Sequence, residues 1–164
     1  MALVKRSDKK AFFGVTKNTE TTFHRMKGFT QISTSKNPVE YSRKYVDMDF
    51  EISDVVGYAP SIAVSFDLHS DDAVHTDIAD IFDKEKTGTA TERDVVVVDF
   101  TKPVDNKAGH FAAKKRTYSI IPGGEGNGTE NYSYTADFKA KSDATEGTAT
   151  STDEWQTLTF TESE

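Results

Sequence analysis

Cysteine is absent from the 164 residues of this chain, which excludes disulfides and thiolate metal sites and suits a reducing compartment. Long apolar runs are missing too, since no stretch approaches the roughly 18 apolar residues of a membrane helix. The first ten residues, MALVKRSDKK, hold only three apolar positions after Met1 and offer no signal-peptide core. We therefore expect one soluble domain, residues 1–164, that is made in the cytoplasm and is not bound to a membrane.

Positive charge is scarce, with 20 Lys and Arg against 27 Asp and Glu and a net charge of −7. Residues 1–50 carry a net +5, residues 51–100 a net −9 and residues 101–164 a net −3. An acidic chain is a poor candidate for gripping a phosphate backbone. The opposed charges of the first two segments could instead draw copies together head to tail, although ordinary surface asymmetry is the alternative.

Helical periodicity is rare, and most of the chain alternates apolar and polar residues with the period of two that is typical of strands. In SIAVSFDL, for example, Ile62, Val64, Phe66 and Leu68 share one face. The β-branched run DVVVVDF predicts a strand that is buried on both faces. Strands are predicted over residues 28–35, 45–52, 61–68, 94–100, 110–121, 131–141 and 154–162. Loops are predicted over residues 34–40, 56–61, 121–131 and 142–154, and the polar segment 141–154 is expected to be mobile.

One stretch has a helical period. Val74, Ile78, Ile81 and Phe82 fall at i, i+4, i+7 and i+8, which predicts a single stripe facing the core. Ser70 or Asp71 is the predicted N-cap, because a short oxygen side chain can accept hydrogen bonds from the first-turn N–H groups. The residues alone therefore indicate an all-β body with one helix of about three turns packed on it.

The segment DLHSDDAVHTDIADIFDKEKTG, residues 67–88, gathers two histidines and seven acidic residues and could be taken for a metal site. A zinc site needs three or four converging ligands, whereas His69 and His75 flank a helix cap and no His-Glu-x-x-His spacing is present. A capped helix is the favoured interpretation, and no metal or other cofactor is predicted.

No other motif predicts chemistry. The glycine-rich GGEGNG lacks the Lys-Ser/Thr ending of a P-loop and precedes a strand, so a hairpin loop is favoured. There is no G-x-S-x-G setting and no cysteine nucleophile, and the four histidines are scattered. We therefore predict that the protein is not an enzyme.

Three alternating acids, Asp47, Asp49 and Glu51, lie on one face of the predicted strand 45–52. Two such carboxylates could serve as acid and base in a glycosidase, or they could bind calcium with help from carbonyl groups. A solvated strand face is the plain alternative.

Several segments resemble a known family. SKNPVEYSRKYVD, VVGYAPSIAVSFD and AVHTDIADIFDKEKTG followed by VVVVDF resemble the major tail, or tail tube, proteins of long-tailed bacteriophages of Gram-positive hosts. The resemblance covers residues 23–100 well and implies a mainly β fold, an antiparallel β-sandwich or half-barrel with one flanking helix. It also implies a structural virion protein whose six copies close into a ring, with rings stacking into a hollow tube for DNA ejection.

The resemblance further implies partners and sites. The partners are other copies of the chain, a tape measure protein and a tail terminator, in a virion tail assembled in the host cytoplasm. DNA would pass without specific binding along an acidic wall, for which Asp47, Asp49, Glu51 and Asp137 are the candidates. An N-terminal arm, residues 1–10, and the segment 36–58 would reach neighbouring rings. A contractile-tail or tailocin tube and a non-catalytic β-sandwich binding module are the alternatives.

Overall fold

The computed structural model describes all 164 residues, which form eleven strands and one α-helix. Short 3-10 turns lie at Arg6–Asp8 and Gly88–Thr91. In chain order the elements are β1 Lys9–Lys17, β2 Glu20–Arg25, β3 Phe29–Ser35, β4 Pro38–Arg43, β5 Ile52–Tyr58, β6 Ser61–Asp67, α1 Ala73–Asp83, β7 Glu92–Pro103, β8 Phe111–Glu125, β9 Ser133–Ala140, β10 Thr145–Thr150 and β11 Thr157–Glu162. No helix here has the length and hydropathy of a membrane-spanning segment.

Nine strands form one antiparallel sheet in the order β10-β11-β2-β1-β7-β8-β9-β6-β3. The long strand β8 has two successive neighbours on one side, β10 along Phe111–Lys115 and β9 along Tyr118–Glu125. The pairing with β10 closes β10, β11, β2, β1, β7 and β8 into a small barrel, and β9, β6 and β3 extend from it as an open wing. The predicted mainly β fold, an antiparallel half-barrel with one helix, is confirmed.

The sheet buries residues on both of its faces. In β1, the consecutive side chains of Phe12 and Phe13 are both fully buried and point to opposite faces. Phe12 belongs to the core inside the barrel, which also contains Leu158. Phe13 belongs to the larger core beneath α1. The central strand β7 serves both cores in the same way, as the prediction of a strand buried on both faces requires.

Helix α1 lies on the sheet face that carries the larger core. Val74, Ile78, Ile81 and Phe82 are buried there, on the side where the helical period placed them. On the outer side Asp77 receives two hydrogen bonds from the guanidinium of Arg93, from Nε at 2.7 Å and from Nη2 at 3.2 Å. This bidentate, largely buried pair ties the helix to the start of β7.

The N-cap of α1 is Asp72, so the prediction of Ser70 or Asp71 is wrong. The Asp72 carboxylate accepts hydrogen bonds from the backbone N–H of Val74 at 2.9 Å and of His75 at 3.2 Å. Asp72 is buried, whereas Ser70 and Asp71 are exposed in the preceding turn. The helix therefore begins one residue later than a cap at Asp71 would place it.

Strand predictions failed in several places, since β1, β2, β4 and β5 were not predicted. β1 was missed because Phe12 and Phe13 are both buried and break the alternation. The strand predicted over 45–52 is instead the connection between β4 and β5, where the backbone N–H of Met48 donates to the carbonyl of Tyr45. The loop predicted over 142–154 contains β10, whose small residue Ala149 is fully buried against the barrel core.

Candidate assembly interface

The strands β4 and β5 form a separate two-stranded hairpin, which we call the projecting hairpin, residues 38–58. They pair only with each other, from Pro38 opposite Tyr58 to Arg43 opposite Ile52. An isolated two-stranded hairpin is at best marginally stable in water. A hairpin that stands apart from the main sheet therefore gains much from a partner surface.

The projecting hairpin is unusually apolar for an exposed element. Thirteen large apolar side chains are exposed in the whole chain, and eight of them lie in these 21 positions. The eight are Val39, Tyr41, Tyr45, Val46, Phe50, Val55, Val56 and Tyr58. Clustered exposed apolar residues rimmed by charge mark sites of protein association.

Internal contacts hold the hairpin in one shape. The guanidinium of Arg43 pairs with Asp54 at 2.7 Å, donates to the hydroxyl of Tyr45 at 2.9 Å and lies over the ring of Tyr41. The hydrogen bond to Tyr45 and the bond to Asp54 raise the pKa of Arg43. The hydroxyls of Ser42 and Ser53 are 2.7 Å apart across the strands. These contacts join the two strands next to the connection that links them.

Asn37 fixes the base of the hairpin to the main sheet. Its backbone is left-handed, with φ 45°, and its side-chain amide donates to the carbonyl of Ala59 and to the hydroxyl of Ser61, both at 3.0 Å. Asn tolerates this conformation better than most residues do. The hairpin therefore leaves the end of the β3–β6 pair in a defined direction.

The four carboxylates predicted to line a channel fall into two groups. Asp47, Asp49 and Glu51 are exposed in the connection at the tip of the projecting hairpin and do not share a strand face, because no strand exists there. Asp137 is exposed on β9, on the face opposite the buried Phe138.

The N-terminal arm is shorter than predicted. Residues 1–5 precede the first 3-10 turn, and β1 already begins at Lys9. Met1, Leu3 and Val4 are exposed, so the arm adds three more apolar side chains to the surface. Lys9 and Lys10 belong to the body, since they pair with Asp99 and Val98 of β7.

The histidines beside the helix serve packing. The ring of His75 is fully buried, with Nε2 2.9 Å from the carbonyl oxygen of Lys27 and Nδ1 3.2 Å from the backbone nitrogen of His69. Burial lowers the pKa of His75, against the opposing effect of the Asp72 carboxylate. No group of three or more His, Cys, Asp or Glu side chains in the chain could hold a metal ion. The GGEGNG segment ends β8 and opens the turn into β9, as expected of a hairpin loop.

The segment 36–58 was predicted to reach neighbouring rings, but its exposed apolar composition was not predicted. Tyr41, Val55 and Val56 were not singled out, because the alternation was assigned to residues 45–52. One signal in the sequence could have indicated this surface. Apolar residues occur both before and after the chain reversal between β4 and β5.

Comparisons with known proteins agree with this architecture. No family model matches the chain, and no curated protein matches it by sequence. The solved SPP1 tail tube, determined by solid-state NMR and cryo-electron microscopy, is similar in structure with a TM-score of 0.66 and 15% identity, over 92% of this chain and 81% of that one. A chain of the anti-feeding prophage baseplate matches over 89% of this chain and 97% of its own length, with 8% identity and a TM-score of 0.47. The chain has the fold of a phage tail tube protein.

Proposed function

We propose that the protein is a structural tail tube subunit without catalytic residues, whose copies form hexameric rings that stack into the conduit for DNA ejection. The observation that carries this proposal is the projecting hairpin, an ordered apolar element left without a partner on a body with a tail tube fold. A monomer would leave those apolar side chains in water, whereas a repeating assembly covers them in every copy.

In the proposed assembly the hairpin of one copy meets a different surface of the next copy, so the contact between copies is heterologous. Heterologous contacts close into rings when the rotation allows it, and otherwise extend as open stacks. Closing the sheets into rings would also cover the free edge of β3 at the end of the wing.

Asp137 remains the channel candidate whose predicted strand position agrees with the fold. It lies exposed on β9 beside β6, where polar side chains such as Ser65 occupy the same outer face. In the proposed tube this face borders the lumen, where negative charge keeps the DNA phosphates from sticking. The tape measure, the tail terminator and a location in the virion tail belong to the same proposal.

Electron microscopy of the purified protein at rising concentration, beside light scattering, tests the proposal. We expect rings or tubes to appear above a threshold concentration. A monomer of 18.2 kDa that persists at every concentration, together with specific retention on a glycan array, would favour a binding module instead.

A further inference from the structure

A groove lies on the sheet face that carries α1. It consists of two adjoining depressions of about 770 and 490 Å³ that share Lys9, Thr34, Ile62 and Val97. On the floor of the groove, Ile62 is part of the core beneath α1 and Val97 packs against that core. No residue of α1 lines the groove. The groove is therefore an apolar extension of the core that the helix leaves uncovered.

The groove is strongly basic although the chain is acidic. Five lysines and two arginines line it, against the two carboxylates of Asp99 and Glu146. The basic residues come from the N-terminal turn, from the connection after β3 and from the barrel strands β1, β7 and β8. They are Lys5, Arg6, Lys9, Lys36, Lys102, Lys114 and Arg116. A net charge of +5 over an apolar floor predicts a ligand that is both acidic and apolar.

Arg116 contributes to the charge of the groove wall without being an open ligand position. Its Nε atom is buried and has no hydrogen-bond partner within the chain. A partner carboxylate cannot reach a fully buried atom, so the attraction of the groove for acidic groups rests on its net positive charge.

The tip of the projecting hairpin has the complementary chemistry. Its connection, Lys44–Glu51, contains three carboxylates alternating with apolar side chains, among which Val46 and Phe50 are exposed. The whole hairpin carries five acidic and two basic residues. No other exposed segment of the chain combines an ordered turn, exposed large apolar side chains and three carboxylates within five positions.

We propose that this basic groove is the receptor for the hairpin tip of a second copy of the chain. Val46 and Phe50 cover the apolar floor, and Asp47, Asp49 and Glu51 pair with the basic rim. This inference rests on the proposed function and names the docking partner of each copy. The three tip carboxylates, which were predicted to line the channel, then belong to a contact between subunits. Asp137 is the one predicted channel residue that keeps this role.

Charge reversal on each side tests the contact. The hairpin variant carries Asp47→Lys, Asp49→Lys and Glu51→Lys, and the groove variant carries Lys36→Glu, Lys102→Glu and Lys114→Glu. All six side chains are exposed, so both variants should keep the fold, which circular dichroism checks. We expect each variant to raise the threshold concentration for assembly at least about tenfold, since like charges then face each other.

Recombining the two variants gives the sharper result. The chain with all six substitutions should assemble again near the wild-type threshold, and an equimolar mixture of the two variants should co-assemble although neither assembles alone. The control variant carries Glu20→Lys, Asp83→Lys and Glu130→Lys, which change the net charge as the hairpin variant does but lie away from the groove and the hairpin. It should assemble like the wild type.

Each other outcome overturns the docking inference in a recognisable way. If the wild type forms tubes and both variants do so at the same threshold, the groove assignment is wrong while the tube proposal stands. If only the hairpin variant loses assembly, the tip binds a surface other than the groove. If only the groove variant loses assembly, the groove binds another segment, such as the N-terminal arm. A wild type that never associates would overturn the tube proposal as well.

Discussion

The imidazole of His75 donates from Nε2 to the main-chain carbonyl of Lys27 at 2.9 Å and so joins α1 to the turn between β2 and β3. The other ring nitrogen lies 3.2 Å from the backbone N–H of His69, which can only donate. His75 must therefore be neutral, with its proton on Nε2 and a free lone pair on Nδ1. A protonated ring would turn a second donor toward the N–H of His69.

The stability of the protein should depend on this protonation state. Burial lowers the pKa of His75 in the folded chain below the 6.5 of an unperturbed histidine. The unfolded state then takes up the proton first, so the contribution of His75 to the free energy of unfolding is constant well above pH 6.5 and falls as the pH drops toward the folded pKa. Burial lowers the pKa of the partly buried His24 as well and adds in the same direction.

An NMR titration of the ring protons identifies the group responsible. We expect the His75 signal to titrate with a midpoint below 6.5, and the thermal midpoint to drop between pH 7 and pH 5. A midpoint at or above 6.5 would contradict the fixed neutral tautomer. The variant His24→Gln should retain the part of the pH dependence that belongs to His75.

Asp72 provides a test of the helix start. Replacement by Ala should cost about 1 kcal/mol, and up to about 2, because two first-turn N–H groups lose their acceptor in a buried setting. For a chain of this size the midpoint of thermal unfolding should fall by roughly 2–4 °C per kcal/mol. Ser70→Ala and Asp71→Ala are the matched controls and should change the midpoint little, since both residues are exposed. Equal losses at all three positions would contradict the assigned cap.

The sequence predicted the elements that bury one face and expose the other to solvent. β6, with Ile62, Val64 and Phe66 buried and the residues between them half exposed, follows the expected alternation. The helix could be predicted equally well, because a 3.6-residue apolar period over eleven positions rarely arises by chance. The exact cap was not predictable, since three neighbouring oxygen side chains, those of Ser70, Asp71 and Asp72, can all serve as an N-cap and their order in the sequence does not select one.

Elements that bury both faces, and segments that bury neither face, were not predicted correctly. β1 has no alternation because the barrel and the helix layer each need a residue from it, Phe12 and Phe13. β10 looked like a polar loop because the space at the barrel closure admits only small side chains, Gly147 and Ala149. The alternation at residues 45–52 is real but reflects apolar side chains that nothing in the same chain covers.

Gly147 should be the most sensitive glycine in the barrel. A Cβ at this position would collide with the carbonyl oxygen of Thr161 and lie 2.6 Å from the ring carbon Cζ of Phe160 on β11. Gly147→Ala should therefore cost about 1–3 kcal/mol by overpacking, measured by chemical denaturation. Gly57→Ala is the control, because its nearest neighbour, the Cβ of Val39, is 4.0 Å away. If both variants unfold at the same denaturant concentration, β10 does not close the barrel as described.

The exposed apolar side chains of the projecting hairpin should matter for association and not for folding. Val46 and Phe50 contribute little to the core of their own chain, since both are exposed and the hairpin pairs with no other strand. The double variant Val46→Ser, Phe50→Ser should therefore unfold within about 0.5 kcal/mol of the wild type, as surface substitutions do.

In the same variant, the threshold concentration for assembly in light scattering should rise by at least about tenfold, because burying two such side chains between copies is worth roughly 1.5–3 kcal/mol each. Ile121→Ser removes a comparable exposed apolar side chain from the face that carries Asp137 and should leave the threshold unchanged. A hairpin variant that assembles normally would show that these side chains stay in water, and a variant that unfolds early would show that they pack within their own chain. Only the combination of normal stability with impaired assembly fits a hairpin whose partner is another copy.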